Sequence, residues 1–374
     1  MNIGFIEDTP LRGGTQIWVT EATQYFLNRG EKVTILAPEG SWVGKICGQA
    51  GADVHTYDYD KVVSKDAESK KIWTETLKLC DVAVCTVHPP RQGFHCSVFA
   101  GTCIRDAGLK TILIPKSGTI VPDYLREFYV PFEDIPLKVI AITNFTREYM
   151  LETYKIPADT AELIYQGTEV GLFTPDPQRK KEAFKRYVLP ENASPVIGCI
   201  GTFEERKGQT VLLEALRDIV KGPLPNAHLV LVGEGPDEEM LKGKVKEFGL
   251  SDHVTFFEFT REPVYIFERI DIVALPSLFK EGLPNVLLEA LSMSIPVVSS
   301  RMAGVPEVVI NGETGYMVGP GNKDELAEAI VKLCSDVDIM KKMGANGRRM
   351  MEEKMDKQVQ FEAFLQYFHK ITGK

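Results

Sequence analysis

The chain has 374 residues, 44% of them hydrophobic and 25% charged, with a formal net charge of −9. That length exceeds what one hydrophobic core sustains, so two domains are expected, and the composition is that of an ordinary globular protein. The acidic balance argues against a nucleic-acid binder and lends nothing to a membrane-surface role, and no apolar run is long enough to span a bilayer.

The first residues run directly into a strand pattern, MNIGFIE, without a basic leader. Seven cysteines lack any CxxC pair, and several sit in apolar settings such as Val84-Cys85 and Gly198-Cys199. Reduced, buried thiols and a cytoplasmic location are therefore expected, with peripheral contact at the inner face of a membrane left open. Oligomeric state is not legible.

Ile3 to Ile6 predicts a buried strand. After it come Glu7-Asp8-Thr9-Pro10-Leu11-Arg12-Gly13-Gly14 and an amphipathic helix with Trp18, Ala22, Tyr25 and Phe26 on one face, closed by Gly30. Gly13 and Gly14 would let a phosphate approach the backbone, although a plain strand-to-helix turn has the same composition. Further strands are predicted at Val33 to Ala37, Asp53 to Tyr57, Val82 to Val87, Thr111 to Pro115, Lys138 to Thr143 and Ala161 to Gln166. Helices fill the gaps, one from about His95 to Ala107, which makes a doubly wound α/β pattern.

Pro175, Asp176 and Pro177, then Leu189 to Pro195, interrupt the alternation and place a boundary between Phe173 and Val196. The expected parts are residues 1–173, residues 174–355, and a terminal helix over 356–374. Strands resume at Val196 to Ile200, His228 to Val232, Val254 to Phe257, Ile272 to Leu275 and Pro296 to Ser299. The fold class expected is α/β, with two Rossmann-like doubly wound parallel-sheet domains facing a cleft. The last forty residues read as helix, and Phe361, Phe364, Leu365, Tyr367 and Phe368 make the end too apolar for a free tail.

Ligands sit at the carboxyl ends of parallel strands, which directs attention to the stretch between Leu275 and Pro296. There Glu281 precedes a helix with Pro284 expected at its first position, so the amides of Asn285 and Val286 would face an anion or a hydroxyl-rich ligand. Glu289 follows about a turn and a half later and leans back toward the same place. A dipole-stabilising glutamate followed by a solvated one would read the same way.

Glu281 and Glu289, with seven residues between them in EGLPNVLLEAL and AGVPEVV beyond, resemble the signature of retaining glycosyltransferases of family 4, the GT-B glycosyltransferase group 1. The resemblance implies transfer of a hexose from a UDP- or GDP-linked sugar to a hydroxyl of a glycan or glycolipid precursor. It implies that Glu281 contacts the donor sugar, that Glu289 holds the ribose diol, that Gly13 and Gly14 adjoin phosphate, and that the terminal helix returns to the first domain. Gly201-Thr202-Phe203-Glu204-Glu205-Arg206-Lys207-Gly208 resembles the family's phosphate element; Lys207 carries over, while Thr202 replaces an arginine for which Arg206 is the stand-in. Val232-Gly233-Glu234-Gly235-Pro236 resembles a turn near the nucleotide. Phe259 and Arg261 fall where the family meets the base, with Glu258 in place of a glycine.

His88 stands where the family has a histidine, although a strand-end histidine can equally cap the sheet. Lys116 and Ser117 replace a second histidine on the acceptor side. In YQGTEVGLFTP, a hinge-like segment, Gln166 and Glu169 replace Asn and Asp. Lys207, Arg206, Glu281 and His88 are thus the candidate catalytic residues, and no metal or cofactor is expected, because side chains and helix ends can neutralise the diphosphate. Cys85, His88, His95, Cys96 and Cys103 have zinc-ligand types but no ligand spacing. Asp58-Tyr59-Asp60 reads as a solvated loop rather than a metal-binding Asp-x-Asp. A nucleotide-sugar epimerase and a non-catalytic sugar-nucleotide binder are the rival classes.

Overall fold

Runs such as Val82–Thr86 and His228–Val232 are apolar at nearly every position, and strands of that kind are stable only when both sheet faces are covered by helices. The computed structural model, which describes residues 1–118 and 126–374, has that arrangement twice. One unit comprises 1–165 and 360–374, the other 166–359. The division thus falls before Gln166 rather than after Phe173. The intervening segment is pinned to the second unit, with Thr168 N–H on Met355 O at 2.8 Å and Arg348 donating to Val170 O and Phe173 O at 3.1 and 2.7 Å.

The first unit holds strands β1 (Asn2–Ile6), β2 (Lys32–Pro38), β3 (Asp53–Tyr57), β4 (Val82–Thr86), β5 (Ile112–Lys116), β6 (Val139–Ala141) and β7 (Ala161–Leu163). They are parallel, in the order β3-β2-β1-β4-β5-β6-β7. The chain winds one way from β1 to β3 and the other from β4 onward, so the crevice between the carboxyl ends of β1 and β4 is the topological switch point. On one face Phe5, Val19, Phe26 and Ile35 pack with Phe361, Phe364 and Phe368 of the last helix. That end is also tied by polar contacts: Trp18 Nε1 donates to Gln360 at 3.0 Å and Tyr25 OH to Glu362 at 2.7 Å. Trp73, Phe94, Phe99 and Ile104 fill the opposite face.

The second unit holds β8 (Val196–Ile200), β9 (His228–Val232), β10 (Val254–Phe257), β11 (Ile272–Leu275), β12 (Val297–Ser300) and β13 (Gly315–Val318). The order is β10-β9-β8-β11-β12-β13, which puts a second switch point between β8 and β11. Edge strand β13 was not anticipated. It is four residues long and opens on Gly315, where a Cβ would lie 2.0 Å from Val297 O, so the residue that permits pairing also disguises the strand. Among the described residues no helix is long and apolar enough to cross a membrane.

Candidate functional site

At the second switch point two loops are locked together. Leu278 N–H, after β11, donates to Arg206 O, after β8, at 2.7 Å. Gly208 has φ +70° and so close an approach that a Cβ would lie 2.0 Å from Pro276 O, which is why no other residue fits there. This brace brings Lys207 Nζ to 2.7 Å from Glu281 Oε2, where Ser277 Oγ also donates at 2.9 Å. Arg206 Nη1 lies 3.7 Å from the same oxygen, and its Nη2 is 2.6 Å from Glu204. Lys280, the residue before Glu281, is held at φ +51°, a conformation side chains adopt only when their surroundings impose it.

The following helix spans Asn285–Ser292, with Pro284 as its N-cap at ψ 128° rather than as its first helical residue. Leu287 N–H bonds Pro284 O at 3.1 Å, leaving the amides of Asn285 and Val286 ahead of the first helical bond. Gln166 donates to Asn285 Oδ1. Burial pushes the Glu289 carboxyl up to about 7, with Lys357 opposing and Glu169 adding to the shift.

In the first unit the switch point carries a different cluster. His88 follows β4, and its two ring nitrogens each lie 2.7 Å from an oxygen that can only accept, Nδ1 from Pro89 O and Nε2 from Asp8 Oδ2. Both nitrogens must then carry protons, making the ring an imidazolium paired with the Asp8 carboxylate. Burial opposes charge on that ring, but the Asp8 contact, with the Cys96 thiol beside it, raises its pKa to about 11. Burial would likewise raise Asp8, yet His88, then His95 and Arg91, hold it below the usual carboxylate range. Burial and the His88 charge push His95 down to about 4. His88 is therefore an ion-pair member rather than a free general base.

Asp8, His88 and Cys96 do come together, with ligand-type atoms within 4.8 Å of one another, a meeting the sequence spacing had not suggested. The 2.7 Å contact is nevertheless that of a hydrogen bond, since two ligands on one zinc, each at about 2.0–2.1 Å, would stand roughly 3.3 Å apart. Next to this pair, Glu7 is buried and accepts from Gln16 at 2.7 Å, and burial pushes its carboxyl up to about 7. Lys116 is 7% exposed, lies over the Trp18 ring at 4.5 Å, and is pushed down to about 8 by burial. Ser117 is fully buried, and its Oγ accepts from Ile142 N–H at 3.1 Å. Lys116 and Ser117 thus brace β5 and β6 and do not form an open acceptor surface, contrary to expectation.

Residues 180–350 match the family described as glycosyl transferases group 1. The second unit belongs to this family. A GDP-mannose-dependent alpha-(1-6)-phosphatidylinositol monomannoside mannosyltransferase of Mycobacterium tuberculosis (strain CDC 1551 / Oshkosh) is 34% identical over 218 residues, 56% of this chain and 56% of that protein. The chain thus spans about half the length of the curated relatives it matches. Among solved structures, a glycosyltransferase from Rickettsia africae ESF-5 superposes with a TM-score of 0.83 at 20% identity, covering 99% of this chain and 98% of that one. Anabaena HepE in complex with UDP gives 0.82 at 18% identity, covering 99% and 100%. These likenesses establish the fold, which is GT-B.

Within the second unit, Lys207 and Arg206 meet at Glu281, and the helix start at Pro284 to Val286 follows Glu281 closely in the chain. Thr202 does not imitate the missing arginine: its hydroxyl donates to Glu204 and its carbonyl accepts from Gln209 at 2.8 Å. Gly233 has an internal reason to be glycine, because a Cβ there would lie 2.1 Å from Gly201 O. Phe259 is 61% exposed and Arg261 exposed, both beyond the edge strand β10, two strands from β8. In the other unit Gly13 caps the helix Gly14–Asn28, and among the described residues a Cβ on Gly14 would meet nothing within 4 Å, so their packing does not demand that glycine. Asp58 caps a short helix through Asp60 and Lys61 N–H at 3.0 and 3.3 Å instead of lying in a loop. Asp8 and Glu7 went unselected in the sequence; the available signal was two acids directly after a buried strand.

Proposed function

We propose that the protein is a retaining glycosyltransferase that moves a hexose from a UDP- or GDP-linked donor to a hydroxyl of a glycan or glycolipid precursor. The observation that carries this reading is the meeting of Lys207 and Arg206 at Glu281, 2.7 and 3.7 Å from one carboxylate oxygen, at the carboxyl ends of β8 and β11. A diphosphate would exchange with Glu281 as counter-ion of both cations, and the released carboxylate would accept hydrogen bonds from the sugar hydroxyls. As the bond from the anomeric carbon to the phosphate oxygen breaks, negative charge grows on that phosphate, and a preorganised ammonium at Lys207 is worth most at that moment. The acceptor oxygen would bond to the same face of the anomeric carbon while the leaving phosphate takes its proton, which retains configuration. Glu289 would hold the ribose diol.

The name of the mycobacterial relative and the UDP complex of HepE support a nucleotide-sugar donor. The test is incubation of the full chain with UDP- and GDP-hexoses and a glycoside panel, with the product anomer read by proton NMR. A retained anomeric configuration is expected, as is persistence of donor hydrolysis in excess EDTA. An inverted product would overturn the retaining assignment, a sugar altered while still on its nucleotide would indicate an epimerase, and activity lost to EDTA and restored by Mn²⁺ would overturn metal independence.

A further inference from the structure

With Lys116 and Ser117 buried, the open space in the first unit lies elsewhere. A cavity of about 460 Å³, within the range of small-ligand sites, opens over the carboxyl ends of β1, β2 and β3 and the loop after β4. Its walls include Tyr59, whose ring suits the apolar face of a sugar, and Glu39, Asp58 and Arg91, whose polar ends suit its edges, while Tyr57 is fully buried with its ring against Trp73. The Tyr59 hydroxyl is buried and has no hydrogen-bond partner among the described residues, an unfavourable state that a ligand hydroxyl could relieve after a small shift of the ring. Asp58 uses Oδ1 for its helix cap, and Oδ2 takes no part in that cap.

The charge balance narrows the ligand. Asp8 also lines the cavity, but the His88 imidazolium neutralises it. Glu39 and Asp58 then face one cation, Arg91, so the wall carries an excess of one negative charge. Carboxylates accept hydrogen bonds from hydroxyls and repel a phosphate dianion, which would meet like charge at short range.

We propose that this cavity binds the acceptor, and that it takes an uncharged polyhydroxyl ring, a sugar or cyclitol, in preference to the phosphate ester of the same ring. Calling the ligand an acceptor rests on the glycosyltransferase reading; the cavity's preference does not. The test is saturation-transfer NMR on the full chain without donor, using methyl hexosides and myo-inositol against hexose 6-phosphates and inositol 1-phosphate. Wild-type protein should transfer saturation to the neutral rings and give little to their phosphate esters. Glu39→Gln combined with Asp58→Asn should weaken the neutral rings and raise the ratio of ester to neutral affinity at least about tenfold. Circular dichroism of the double variant checks that it is folded, and Tyr59→Phe is a second, milder variant expected to weaken neutral rings.

Equal or tighter binding of the esters by wild type overturns the proposal, as does an unchanged preference in the folded double variant, or failure of wild type to bind any neutral ring. Binding of UDP- and GDP-sugars by wild type is read in the same experiment. If neutral rings bind there and nucleotide sugars do not, the sugar preference stands and the donor reading fails, so the two failures are distinguishable.

Discussion

In the second unit the charged groups at the strand ends are shared: Lys207 and Arg206 both lean on one Glu281 oxygen, at 2.7 and 3.7 Å. In the first unit the corresponding groups are closed in. Glu7, Asp8 and Lys116 are 4, 4 and 7% exposed, and Asp8 is matched by an imidazolium whose two protons are already committed. Both clusters occupy a switch point of a parallel sheet, so location alone does not assign chemistry. A carboxylate shared by two cations leaves positive charge for an arriving anion, whereas a one-to-one pair whose protons are committed fixes geometry and resists a change of protonation.

Removing one member from each cluster should therefore have different consequences. Lys207→Ala is expected to lower kcat on the order of 10² to 10³, with a smaller change in donor KM, because the lost ammonium matters most as phosphate charge develops. Full activity in that variant would break the contrast at its strongest point. Asp8→Asn should act first on the first unit's stability, by about 1.5–3 kcal/mol, the worth of a hydrogen bond to a charged group. Asp8 has a lowered folded pKa, so its contribution is present above the unfolded value and lost as pH falls; His88 has a raised one, so its contribution is full below its unfolded value and lost as pH rises toward about 11. The penalty of the substitution should thus be greatest between about pH 4 and 6.5. Trp18, Trp42 and Trp73 all lie in the first unit, so the denaturant midpoint followed by tryptophan fluorescence reads that unit alone. Histidine ¹⁵N spectra at pH 8 should show both His88 nitrogens protonated in wild type and neutral in Asp8→Asn.

What the sequence disclosed follows the same division. Lys207, Glu281 and the glycines around them were legible through the resemblance of their loops to a family signature, and at Gly208 and Gly233 a Cβ would lie about 2 Å from the carbonyl oxygens of Pro276 and Gly201, so glycine is the only residue that fits. Asp8 and His88 are 80 residues apart, and nothing local marks them as partners until the sheet sets β1 beside β4. Lys116 and Ser117 were assigned to the acceptor side because they stand where the resembling family has a second histidine, but the Trp18 ring lies against one and Ile142 N–H occupies the other. Pro284 was misread by one position, since proline's fixed φ suits the N-cap and the first helical residue alike and only ψ separates them.

Arg206 sharpens the comparison inside the second unit. It is 2.6 Å from Glu204, a surface-type pair worth little by itself, and 3.7 Å from Glu281, farther than Lys207. Arg206→Ala should lower kcat about tenfold, or roughly 1.4 kcal/mol in the barrier, if the guanidinium reaches the diphosphate in place of the arginine absent at Thr202. A kcat within twofold of wild type would reduce Arg206 to a partner of Glu204.

The smallest effect is expected at Glu289, whose carboxyl is pushed up to about 7 by burial and so titrates near physiological pH. A ribose diol is best held by the ionised carboxylate, which offers four lone-pair sites and no competing donor. Glu289→Gln keeps one acceptor oxygen, so donor KM at pH 8 should rise about threefold, within the net worth of a single hydrogen bond, while kcat stays near wild type because the ribose is remote from the breaking bond. In wild type, donor KM should climb as pH falls below about 7, since protonation removes the acceptor the diol needs. In Glu289→Gln that climb should vanish, because the amide does not titrate. A pH-dependent KM that survives the substitution would place the titrating group elsewhere and leave Glu289 as a packing residue of its helix.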